Sequence, residues 1–274
     1  MERVKGGIGD YGIRASLYDY GRFTWPKWIF NELKDRLGRR VVYPGIDLLK
    51  VLDVGCGTGV STRQLHQVGF SELIGIDIDP RMIKVAKKKS SGERYAVCSL
   101  ESQSINNYLR EMGNIPDHWR WWDVVTAFGC LTWIEYLHDP IEVIGNELIN
   151  TKGIFLAANE DRIHEDDRWK ELKRRFAPDA PELPKTNPTA LERLLKKHFF
   201  VDIETIQKKE YVVIPTKKAA AYIMAGSWVN YVESGNLPAL QSEVRRELGT
   251  RRKVRWEMEF TATFARVPFY RGPR

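Results

Sequence analysis

The sequence predicts an α/β fold in which helices cover a largely parallel sheet. Three observations carry that prediction. Short apolar runs alternate with helical patterns from Val51 to Asn159, the pace of right-handed crossover units. The stretch Val51-Leu52-Asp53-Val54-Gly55-Cys56-Gly57-Thr58-Gly59-Val60-Ser61 joins a strand to a helix through three alternate glycines, which suits a ligand held against bare backbone. Alternating apolar residues Val254, Trp256, Met258, Phe260 and Ala262 predict a last long strand running to Val267.

Length and composition bound the rest. At 274 residues with 43% hydrophobic content, the chain suits one domain with insertions. The mean hydropathy of -0.41 fits a globular protein, and no apolar run approaches the ~20 residues of a membrane span. Met1-Glu2-Arg3-Val4-Lys5 lacks the apolar stretch of a signal peptide, so a cytoplasmic protein without a membrane partner is expected. The sequence leaves its oligomeric state open.

The net charge is +7, with bases clustered at Lys87-Lys88-Lys89, Lys173-Arg174-Arg175, Arg245-Arg246 and Arg251-Arg252-Lys253. On predicted helices such clusters read first as solvated faces, so a nucleic-acid partner is disfavoured. Cys56, Cys98 and Cys130 are odd in number and form no Cys-x-x-Cys pair. They exclude a disulfide framework and a zinc signature, and no metal is expected.

Residues 1–40 are expected to form an N-terminal cap. Within it Thr24 can cap a helix with Pro26 in its first turn, Ile29, Leu33 and Leu37 share one face, and Gly38 stops it. Residues 41–160 form the core. Leu48 to Val54 reads as a buried strand, Gly57 to Val68 as a helix ended by Gly69, and Leu73 to Asp79 as a strand ending in acid. Pro80 to Lys89 follows as a helix and Arg94 to Cys98 as a strand. A helix carrying Ile105, Tyr108, Leu109 and Met112 leads to Trp119-Arg120-Trp121-Trp122, whose rings are expected to pack rather than to stack bases. Asp123 to Phe128, a helix from Pro140 to Leu148 and a strand from Gly153 to Asn159 complete the alternation.

Beyond Asn159 the pattern breaks. Residues 161–199 and 216–250 are expected as lid or insertion helices, including Pro188 to His198, Thr216 to Val232 and Leu237 to Leu248. Residues 200–215 and 251–267 supply the closing strands.

The chemistry begins with glycine spacing. A dinucleotide fingerprint is Gly-x-Gly-x-x-Gly, whereas Gly55, Gly57 and Gly59 follow Gly-x-Gly-x-Gly, and no lysine follows as in a phosphate loop. Asp77 stands 18 residues after Gly59, at the end of the next strand. With these residues the sequence resembles the class I S-adenosylmethionine-dependent methyltransferases, whose first motif is Asp/Glu-x-Gly-x-Gly-x-Gly. The resemblance implies a Rossmann-like sheet of seven strands with the last antiparallel, and S-adenosylmethionine as cofactor. It implies further that Asp53, Gly55, Gly57 and Gly59 form the binding turn, that Asp77 accepts the ribose hydroxyls, and that Ile78 lies against adenine. Ser99 and Leu100 would flank the adenine edge, where Val97-Cys98-Ser99-Leu100 departs from the usual Asp-Ala, and Phe128 would stand beside the cofactor.

Tyr18-Asp19-Tyr20-Gly21-Arg22-Phe23-Thr24-Trp25-Pro26 resembles a segment preceding the core of small-molecule enzymes similar to trans-aconitate methyltransferase. The resemblance implies that Arg22 holds the methionyl carboxylate with Tyr18 beside it. Trp133, Tyr222 and Trp228 are expected substrate contacts. Glu135, His138, Glu160 and His164 are nearby polar residues, and none is assigned as a catalytic base. Phe128-Gly129-Cys130-Leu131 excludes the Asn/Asp-Pro-Pro-Tyr motif of base amino methylation and the Pro-Cys nucleophile of cytosine C5 chemistry. The expected function is methyl transfer to an oxygen or nitrogen of a small molecule; an RNA methyltransferase and a non-catalytic adenosylmethionine-binding module are the alternatives.

Overall fold

The computed structural model describes residues 14–38, 45–100, 105–111, 113, 115–116, 119, 121–134, 136–162, 167–180 and 187–268. Met112, Glu135 and His164 lie outside them. The chain divides into two compact units, one of residues 24–160, 185–208 and 260–274, the other of 1–23, 161–184 and 209–259.

The first unit is built on the sheet. Its strands are β1 (Lys50–Val54), β2 (Glu72–Asp77), β3 (Arg94–Val97), β4 (Trp122–Phe128) and β5 (Ile149–Arg162), joined by parts of β6 (Val201–Pro215) and β7 (Lys253–Arg266). Their order is β3-β2-β1-β4-β5-β7-β6, with β1 to β5 parallel. Thr205 meets Thr263 and Gln207 meets Thr261, the register of an antiparallel β6–β7 pair, and Lys152 and Val267 bond across β5 and β7. The seven-stranded Rossmann-like sheet with an antiparallel last strand is therefore present.

Apolar strands are buried here because helices shield both faces. In α2 (Lys27–Gly38) the expected stripe holds: Ile29, Leu33 and Leu37 are buried. The other helices of this unit are α3 (Val60–Gln67), α4 (Pro80–Lys88), α5 (Ile105–Glu111), α6 (His138–Val143) and α8 (Pro188–Lys197). The core on one face gathers Leu52, Val54, Ile74 and Phe155 of the strands with Leu109, Ile141 and Leu195 of helices. Trp119 and Trp122 pack edge to face at 5.5 Å and are buried, whereas Trp121 is exposed, so the expected packing holds for two of the three rings.

Several boundaries differ from expectation. The helix expected from Gly57 begins at Val60, because Gly57 and Gly59 take positive φ of 55° and 79°. The one expected from Pro140 to Leu148 starts at His138 and finishes as a π turn over Ile144–Leu148. Strand β5 extends past the expected Gly153–Asn159 at both ends.

In the second unit lie α1 (Ala15–Gly21), α7 (Asp167–Phe176), α9 (Thr216–Met224) and α10 (Leu237–Leu248), with the remaining lengths of β6 and β7. The single helix expected from Thr216 to Val232 is two pieces, since Gly226 adopts extended backbone at ψ 143° and a 3-10 turn follows over Ser227–Tyr231. Helix α1 was not expected at all. Its buried residues are Ala15, Asp19 and Gly21, and Gly21 lies so close to α9 that a Cβ would stand 2.3 Å from the Tyr222 backbone nitrogen.

Candidate functional site

The sheet order reverses around β1, with β2 on one side and β4 on the other, and ligands of such sheets bind outside the carboxyl ends at that point. There β1 ends in Asp53-Val54 and turns through the three glycines. All three have left-handed φ, 61° at Gly55, 55° at Gly57 and 79° at Gly59. Their surroundings differ. A Cβ on Gly55 would stand 2.3 Å from that of Cys130, and one on Gly59 would meet the Tyr95 hydroxyl at 2.5 Å, so both are sealed by the protein itself. At Gly57 a Cβ would meet nothing within 4 Å. This is the glycine whose bare backbone faces open space.

Two carboxylates hold the turn in different ways. Asp53 is fully buried; its Oδ2 accepts the hydroxyls of Ser61 and Thr62, both at 2.7 Å, and its Oδ1 accepts that of Thr126 at 2.7 Å. Burial lifts its pKa to about 6, against those three hydrogen bonds, which favour the charged form. The carboxylate also lies at the positive end of α3. Asp77 is half-buried. Its Oδ2 accepts the Gly57 N–H at 2.8 Å and its Oδ1 the Asp79 N–H at 2.9 Å, while burial raises its pKa against these backbone bonds. A carboxylate offers about four lone-pair sites, so each oxygen of Asp77 keeps one for a further donor.

Family comparison agrees with this geometry. The family model described as a methyltransferase domain matches residues 47–214, more than half of the chain. The chain belongs to the class I adenosylmethionine-dependent methyltransferases. Among curated relatives, the ubiquinone biosynthesis O-methyltransferase of Xanthomonas campestris pv. campestris (strain B100) is 30% identical over 110 residues, 40% of this chain and 40% of that protein. The matched region thus spans less than half the length of that relative. Among solved structures, the YcgJ protein from Bacillus subtilis superposes with a TM-score of 0.51 at 14% identity, covering 86% of this chain and 99% of its own. The [4+2]-cyclase SpnF superposes at 0.50 with 17% identity over 91% of this chain and 85% of its own. At such identities the likeness is one of fold, a fold that carries more than one chemistry.

In this methyltransferase the remaining residues expected at the site fall into two groups. Within the sheet unit, Ile78 follows Asp77 and is 70% exposed, and Ser99 and Leu100 follow β3, the latter against the core. Phe128 ends β4 with its ring buried between Trp25 at 5.1 Å and Phe30 at 5.5 Å. Trp133 closes a 3-10 turn after β4. The other unit holds Tyr18, Arg22, Tyr222 and Trp228. The buried Arg22 guanidinium lies 4.8 Å from the Phe23 ring centroid and 5.8 Å from that of Tyr18, and Tyr222 packs between Phe23 and Trp256 at 5.5 and 5.6 Å. Trp228 sits in the 3-10 turn after α9.

Sequence reasoning missed the supporting residues Thr62, Thr126 and Tyr95, whereas Ser61 is legible as the helix-capping hydroxyl that ends the glycine stretch and Cys130 as a residue at a predicted strand end beside the ligand crevice. Thr126 carried a usable signal, as a hydroxyl inside the apolar run of β4, and its register opposite Asp53 explains their bond. Tyr95 carried none, because only the fold brings it under Gly59.

Proposed function

We propose that this chain transfers a methyl group from S-adenosylmethionine to an oxygen or nitrogen of a small molecule. The carrying observation is the unfilled edge of the glycine turn at Gly57, beside an Asp77 carboxylate fixed by two backbone N–H groups. These residues fit the cofactor: Asp77 retains acceptor sites for a vicinal diol, Gly57 admits a ligand to bare backbone, and the exposed Ile78 offers an apolar face. Ser99 and Leu100 are assigned to the adenine edge. Arg22, with Tyr18 beside it, is assigned to the methionyl carboxylate, for which a planar guanidinium gives paired hydrogen bonds.

When bound, the cofactor supplies a methyl group already activated on a sulfonium. The chain's own task is to aim an acceptor atom and keep water away. Asp53 serves as a positioning residue, because its oxygens are engaged by three hydroxyls, and Phe128 braces the end of β4. Trp133, Tyr222 and Trp228 are proposed as acceptor contacts. The name of the Xanthomonas relative, an O-methyltransferase of ubiquinone biosynthesis, supports a small-molecule oxygen as acceptor.

Incubating the protein with methyl-labelled adenosylmethionine and a fractionated cell extract tests the reading. Label in the small-molecule fraction is the expected result. Label in RNA would replace this reading with an RNA methyltransferase, and cofactor binding without transfer to any fraction would leave a binding module.

A further inference from the structure

We propose that the outward face of the paired ends of β6 and β7, with the turn that enters β7, is a docking surface for a membrane rich in anionic phospholipid. The stretch Tyr211-Val212-Val213-Ile214-Pro215 ends β6 and is apolar at every position. A strand of that composition is ordinarily covered on both faces. Here one face alone is covered: Ile214 and Met258 are 6% and 0% exposed, whereas Tyr211 and Val213 are 56% and 55% exposed and Pro215 is exposed beside them. The Thr216 N–H bonds the Arg252 carbonyl at 3.1 Å, a register that sets Val213 opposite Arg255 and Pro215 opposite Lys253. Tyr211, Val213, Pro215, Lys253 and Arg255 therefore share the outward face. The Arg255 guanidinium carbon lies 3.6 Å from the Tyr211 ring centroid, in keeping with that register.

Charge selects the occupant. Lys209, Lys253 and Arg255 on this face, and Lys217, Arg251 and Arg252 around the turn, are all exposed. The Thr216 hydroxyl bonds the Arg251 carbonyl, which ties the turn to the end of β6. The acids of the face, Glu257 and Glu259, are half-buried. Bases around an apolar strip complement anionic head groups with an apolar layer beneath: the bases meet phosphates while Val213, Pro215 and the Tyr211 ring enter the interface. A second copy of this face would meet like charge. Nucleic acid calls for free aromatic platforms, whereas this face presents one ring with Arg255 upon it and two aliphatic side chains. A surface contact needs no spanning helix, so the lack of a long apolar run bears only on a span.

The test sediments the full chain with vesicles of phosphatidylcholine alone and with vesicles of equal parts phosphatidylcholine and phosphatidylglycerol. Binding to the second and not to the first is expected, with release in about 1 M salt, where the screening length falls to ~3 Å. A base beside an anionic surface contributes roughly fivefold in affinity, so the triple variant Arg251→Gln, Arg252→Gln, Lys253→Gln should bind about 100-fold more weakly. The Thr216 bonds go to backbone carbonyls, which this variant keeps. Val213→Asp puts an acid where an apolar side chain enters the interface and should weaken binding about tenfold or more. Melting curves verify folding, and adenosylmethionine affinity is expected to stay at the wild-type value in both variants, so the outcome is independent of the assignment of the glycine turn. Equal binding to both kinds of vesicle, no binding to the anionic ones, or wild-type binding by either folded variant would overturn the proposal. Salt-sensitive RNA binding without uptake by anionic vesicles would overturn it in favour of a nucleic-acid surface.

Discussion

Gly55 and Gly57 look alike in sequence, yet the structure separates them by what a side chain would meet. Gly57→Ala adds a left-handed backbone penalty of roughly 1–2 kcal/mol and meets open space, so the protein should fold with a slightly lower melting temperature and lose cofactor binding. Gly55→Ala adds a collision with the Cys130 Cβ to the same penalty and should lose clearly more stability in thermal unfolding. Equal melting temperatures for the two variants would contradict the difference in their surroundings. Asp53 gives a pH test. Its folded pKa of about 6 lies above the ordinary carboxylate value of 3.8, so the native state binds more protons between these values and stability falls as pH rises from 4 to 6. The shift corresponds to about 3 kcal/mol, an order-of-magnitude figure. Asp53→Asn should remove this slope, so denaturant unfolding of wild type and variant should diverge by about that much between pH 4 and 7, with the variant gaining as pH rises. The motif made Asp53 and Asp77 legible because strand ends and glycine spacing are local, whereas the hydroxyl of Thr126 becomes a partner only through the β1–β4 register.

Elements were legible where periodicity and caps agreed. Helix α4 shows both: Asp79 accepts the Arg81 N–H at its start, Pro80 opens it, and Met82, Ile83 and Ala86 are buried. Helix α1 had neither a side-chain cap nor an apolar stripe, because its buried surface is made of Ala15, Asp19 and Gly21. Such a seven-residue segment is stabilised by close packing on α9 rather than by its own propensity. Gly21→Ala should therefore destabilise the protein by about 1–3 kcal/mol in denaturant unfolding, because its Cβ would lie 2.3 Å from the Tyr222 nitrogen and 2.7 Å from its Cα. Backbone cannot yield as a flexible side chain can. A variant of unchanged stability would remove Gly21 as the reason for that packing. The split between α9 and the following 3-10 turn was obscured by the apolar residues on both sides of Gly226.

For the molecule as a whole, the parts of the chain carry different amounts of readable information. The glycine turn and the alternation of strands and helices from Lys50 to Arg162 were legible from spacing and periodicity, apart from their boundaries. The residues proposed to meet the acceptor depend on insertions around α7, α9 and α10, where aromatic spacing serves packing and recognition alike. Tyr222, between Phe23 and Trp256, is a case in which ring contacts alone do not name an acceptor. No helix among the described residues is long and apolar enough to cross a membrane. The central claim is that the turn from Asp53 to Gly59, with Asp77, holds adenosylmethionine. Calorimetric titration of wild type and Asp77→Ala with S-adenosylmethionine tests it, with melting curves recorded to verify folding. Two hydrogen bonds to a charged acceptor contribute roughly 3 kcal/mol, so the variant should bind about 100-fold more weakly. Equal affinity in a folded Asp77→Ala protein would contradict the account.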